Sequence, residues 1–79
     1  MPTIRELSNG FRFFFFSFDC NEPMHVHVSK GNNICKFWVE PLSLANNHGF
    51  ASKELNTIYK IIRIESNIIK SYWYEHCGQ

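Results

Sequence analysis

The chain changes its hydrophobic rhythm along its length. Through residue 39, short apolar runs and two-residue alternations are punctuated by clusters of Gly, Asn and Pro, which is the pattern of strands joined by tight turns. From residue 52 onward the apolar positions recur near every 3.6 residues, which is the pattern of a helix. The order predicts an α+β fold: a four-stranded antiparallel β-meander, a short helical turn, and a C-terminal α-helix packed on one face.

The first hairpin is signalled by Asn9-Gly10, the preferred pair for a type I′ turn, and a two-residue turn there sets Ile4 opposite Phe15. The second strand, "FRFFFFSF", is apolar on both faces, so it belongs inside the sheet rather than at an edge. In the second hairpin, "MHVHVSKGNNICKFWVE", Gly31-Asn32 as the turn places Val28 opposite Cys35 and Val26 opposite Phe37. On the other face the same register sets His27 opposite Lys36 and His25 opposite Trp38, and a slip of one residue would mix the two sets.

Pro41 is expected to end the fourth strand, and "PLSLANNHGF" reads as one or two helical turns, with Leu42 and Ala45 at helical spacing and Gly49 as the stop. Ser52 is a candidate N-cap for the long helix, and Leu55, Ile58, Ile62, Ile69 and Trp73 form its apolar stripe. The segment "ESN" should bend or weaken it, because Ser66 and Asn67 compete for backbone hydrogen bonds. Ile61, Ile64 and Ile68 widen the apolar surface beyond what one sheet face needs, which suits either the preceding short helix or a partner.

Composition adds bounds. With 79 residues there is room for a single domain, residues 1–79, and a hydrophobic fraction of 44% argues against disorder. A net charge of +1 with scattered basic residues advertises no polybasic arm. No run is long enough for a membrane span and the first residues lack a signal-peptide pattern, so a cytoplasmic protein is expected. Cys20, Cys35 and Cys77 show no C-x-x-C spacing and read as three free thiols of a reducing compartment. A core this small favours a homo-oligomer or a protein partner.

Asn21, Glu22, Pro23, His25 and His27 in "NEPMHVHV", Lys36 and Trp38 in "CKFWVEP", Pro41, and Gly49-Phe50 together resemble a bacterial family of small proteins, domain of unknown function 4160. Met24 stands where that family usually has a second proline, and Cys20 where it has a small residue. The resemblance implies small bacterial proteins often encoded beside another short reading frame, hence a protein-partner-binding component of a toxin–antitoxin-like pair.

The paired histidines carry the candidate chemistry. His25, His27 and Lys36 are the ingredients of a catalytic site for an RNA-directed nuclease, the imidazoles as acid and base and the ammonium facing the phosphate; Glu22 and Trp38 would bind substrate. The same group could bind phosphate without chemistry. A metal is a further alternative, with Glu22 or His48 as third ligand, but Lys36 opposes a cation there, and no metal or cofactor is assigned. The bland alternative is a wet sheet face with Trp38 packed over ordinary histidines. Cys20 is treated as incidental beside His25, and His48 and His76 as residues capping helix C-termini.

Overall fold

A computed structural model of the chain describes residues 3–4, 10–16 and 19–78. Its sheet contains β1 (Thr3–Ile4), β2 (Arg12–Phe14), β3 (His25–Lys30), β4 (Asn33–Val39) and β5 (Leu42–His48), and a 3₁₀ turn, Asp19–Asn21, precedes β3. The strands are antiparallel neighbours in sequence order, followed by α1 (Ser52–Ile64) and α2 (Ser66–Cys77). The α+β class and the meander agree with the sequence pattern. No helix among the described residues is long and apolar enough to cross a membrane.

The β3–β4 hairpin has the register its side chains require. Val26 pairs with Phe37 and Val28 with Cys35, while His25 pairs with Trp38 and His27 with Lys36. The first set is buried and joins Phe11, Phe13, Phe15, Val39 and Phe50 in the main core. In the first hairpin Ile4 lies opposite Phe13, two residues from the expected Phe15. A shift of two residues leaves the parity of the pairing unchanged. Gly10 has the positive φ, 84°, that a turn requires, and Asn9 lies outside the described residues.

The expected short helical turn is instead the strand β5, so the meander has five strands. Glu40 and Pro41 form the turn, joined by a cis peptide bond, and Val39 pairs with Leu42. The helical spacing of Leu42 and Ala45 is accidental: Leu44 pairs with Phe37 and Asn46 with Lys36, which leaves Ala45 as the extra residue of a β-bulge. The bulge also changes parity. Leu42 and Leu44 share the helix-covered face with their partners Val39 and Phe37, whereas Asn46 and His48 share the face of Lys36 and Ile34.

After β5, the Asn47 carboxamide accepts from the Phe50 N–H at 3.1 Å and donates to the Phe50 carbonyl at 3.0 Å. Phe50 is thereby seated in the core as the chain enters α1. The N-cap is Ala51 rather than Ser52, and the Glu54 carboxylate accepts from its N–H at 3.4 Å. Ile58, Ile62, Ile69 and Trp73 are buried as the stripe predicts, with Leu55 packed beside them. The break falls at Glu65 in "ESN". Of the surplus isoleucines, Ile61 and Ile68 pack on the core, while Ile64 remains 71% exposed.

Beyond the break, α2 makes contacts with several parts of the sheet. Lys70 pairs with Glu40 in the β4–β5 turn, and Trp73 meets Phe15 and His25 edge-on at 5.4 and 5.3 Å between centroids. Cys77 is bonded to Cys20, which corrects the reading of three free thiols; Cys35 alone keeps its thiol. Two cysteines 57 residues apart give no local spacing signal, and α2 is what brings them together. Closing a loop of that length stabilises the fold by about 4 kcal/mol in the chain-entropy account.

Gly49 has φ 104°, and a Cβ there would run into the Asn33 side chain. Gly49→Ala is expected to lower stability by about 1–3 kcal/mol in denaturant unfolding. Adding Asn33→Ala should recover the steric share alone; recovery of the full loss would show that φ costs nothing.

Candidate functional site

Alternation in β3 and β4 puts His25, His27, Lys36 and Trp38 on the face opposite the main core, where Phe14, paired with His27, joins them. An aromatic second layer results. His27 stacks on Phe14 at 5.5 Å and meets Phe16 edge-on at 4.6 Å. His25 meets His27 and Trp38 edge-on at 5.1 and 5.6 Å. β2 is apolar on both faces because both layers draw on it: Phe13 and Phe15 serve the main core, Phe14 this one.

Position on the same face does not give the two histidines the same environment. His25 is fully buried, closed over by Trp73, and its Nδ1–H donates to the Pro23 carbonyl at 2.8 Å. That bond fixes its tautomer and ties the "NEP" turn to the strand. His27 is half-buried and reaches a cleft of about 190 Å³ lined by Phe16, His27, Ile34, Lys36, Asn46 and His48. Of the two imidazoles, His25 is therefore enclosed and His27 is the one that borders the cleft.

Lys36 and Trp38 act together within the fold. The Lys36 ammonium donates to the Glu22 carboxylate at 2.6 Å and lies 4.4 Å from the centroid of the Trp38 ring. Arg12 likewise lies over Phe14, at 5.2 Å. A partly exposed ion pair contributes about 0–1 kcal/mol and a cation–π contact about 0.5–2 kcal/mol, so Lys36 is held but can be drawn away. Glu22, Lys36 and Trp38 thus come together, with Glu22 set to compete with any anion for the ammonium.

Asn46 is a member of the cleft that the sequence did not single out, and His48 entered only as an alternative third metal ligand or a helix cap, because the spacing of Leu42 and Ala45 is helical. His48 closes β5 instead of capping a helix. The period-two pair Leu42 and Leu44 after the Glu40-Pro41 turn was the available signal. His76 does lie in the last turn of α2, but its Nε2 bonds the Phe16 carbonyl at 3.1 Å, across the molecule rather than within its helix. Among the described residues, the ligand-type side chains whose donor atoms converge are Cys20, His76 and Cys77, away from the His25–His27 pair.

The fold and this face define a small α+β domain with one helix-covered core and one aromatic, histidine-bearing sheet face. The chain belongs to the domain of unknown function (DUF4160) family, which it matches over residues 10–74. No curated protein and no solved structure matches it.

His25→Ala should cost about 2–4 kcal/mol in denaturant unfolding, since it empties a buried site and strands a carbonyl; His27→Ala should cost clearly less, and equal losses would contradict the division of roles. Burial pushes the Cys35 thiol from 9.0 up to about 12. The folded protein then holds a proton there that the unfolded chain releases, so this thiol's contribution to stability should fall as pH rises from 9.0 toward 12. At pH 8 an alkylating reagent should label Cys35 only after denaturation; rapid labelling of the native protein would contradict its burial.

Proposed function

We propose that this chain is a protein-partner-binding component of a toxin–antitoxin-like pair, bacterial as the family resemblance implies and cytoplasmic as the sequence reading expects. The observation that carries the reading is the surface where β5 meets α1. β5 is the last strand of the sheet, and a groove of about 250 Å³ runs beside it, lined by Phe37, Leu44, Leu55, Asn56 and Tyr59. Leu44 is 44% and Tyr59 39% exposed, so large apolar groups border an open strand edge. An extended segment adding to that edge would find backbone partners and side-chain pockets together.

A second reading, an RNA-directed nuclease or phosphate-binding protein, is favoured by the cleft on the other face. There His27, Lys36, Asn46 and His48 border one opening. His27 and Lys36 would serve as the catalytic or phosphate-binding pair, His25 would orient His27, and Glu22 and Trp38 would bind substrate. Glu22 must first release Lys36.

The two readings use opposite faces, so one set of variants separates them. The protein encoded beside this one should co-purify with it, and Leu44→Glu or Tyr59→Ala should weaken the complex at least tenfold in titration calorimetry while leaving unfolding unchanged. Loss of binding with His27→Ala instead, or RNA cleavage abolished by it, would move the function to the histidine face. Failure to retrieve the neighbour or form a dimer would remove the first reading.

A further inference from the structure

We propose that Cys20, His76 and Cys77 form a zinc site in the thiol state of this chain, with the disulfide as its metal-free oxidised counterpart. This site shares no side chain with either surface considered above and meets the histidine face through Phe16. Its residues come from two places 57 positions apart in sequence, the 3₁₀ turn before β3 and the last turn of α2.

Three observations support it. The donor atoms of the three side chains all lie within 4.8 Å of one another. Zinc bound tetrahedrally, with Zn–S near 2.3 Å and Zn–N near 2.0–2.1 Å, needs donors roughly 3.5–3.8 Å apart. The two Cα atoms are 5.6 Å apart, so the sulfurs can separate to that spacing by side-chain rotation once the bond between them opens.

For a metal bound through Nδ1, the histidine is already prepared. Its Nε2–H donates to the Phe16 carbonyl at 3.1 Å, which leaves the lone pair on Nδ1. A metal-ligating imidazole is usually oriented in this way, its second nitrogen held by a backbone carbonyl. The ring also stacks on Phe15, with centroids 6.0 Å apart and planes 13° from parallel, so it has little freedom to lose on binding.

The donor set selects the ion. Two thiolates and an imidazole suit Zn²⁺ and disfavour Mg²⁺ or Ca²⁺, which prefer oxygen. Three protein ligands leave the fourth position to water. A dithiol reductant opens the disulfide, giving two electrons and two protons to the sulfurs and becoming a cyclic disulfide itself. Zinc then displaces both thiol protons, and His76 binds neutral. Either state joins α2 to the turn that leads directly into Glu22, so the clamp persists when the disulfide is reduced.

The test uses the full chain, reduced with a phosphine and freed of it, then titrated with Zn²⁺ and, as a spectroscopic probe, Co²⁺. Reduced protein should bind one ion per chain, show thiolate-to-cobalt charge transfer, and melt at a higher temperature with Zn²⁺, reversibly with chelator. Oxidised protein should show none of this. Cys20→Ser and Cys77→Ser should abolish the charge-transfer spectrum, His76→Gln should weaken affinity at least tenfold, and Cys35→Ser should leave binding intact. Absence of stoichiometric binding by the folded, reduced protein would overturn the proposal. So would equal binding by the oxidised form or by Cys20→Ser.

Discussion

Pairing Lys30 with Asn33 across the Gly31-Asn32 turn fixes β3 against β4, and side-chain alternation carries that register along both strands. A slip of β4 by one residue would turn Cys35 and Phe37 outward and drive Lys36 and Trp38 beneath the helices. Each of these apolar side chains would lose roughly 1.5–3 kcal/mol of burial, and the ammonium would lose its water. No neighbouring element could offset such a change. β2 pairs onto β3 in a matching phase, Phe13 beside Val28 and Phe14 beside His27, so two aromatic layers are set by one turn.

That register was legible because every residue of the hairpin argues for it: apolar partners on one side, polar partners on the other, and a turn pair between. β5 was not legible for the opposite reason. Ala, Ser and Asn are indifferent strand formers, and "LSLANNH" occupies an edge where few of its side chains are buried. Its strand character comes from pairing with β4 rather than from its own preference. The bulge at Ala45 hides the alternation further, because the residues before and after it point to faces of opposite parity.

The pairing of the candidate residues was legible, and their environment less so. Register placed His25 beside Trp38 and His27 beside Lys36, but alternation alone cannot say what covers a face. Trp73 arrives from α2, and it turns His25 from a surface residue into a buried one. "ESN" announced the break and nothing of these contacts. The Cys20–Cys77 bond likewise joins residues 57 positions apart through tertiary packing, which is why cysteine spacing could not disclose it.

α2 therefore does more than extend the helical stretch. It joins both aromatic layers: Trp73 touches Phe15 of the main core and His25 of the second, and His76 holds the Phe16 backbone. The histidine pair and the cysteine pair are thus separate in chemistry but share a mechanical support. A change that loosens the last turn of α2 reaches His27 through Phe16 and His25, without contact with the cleft itself.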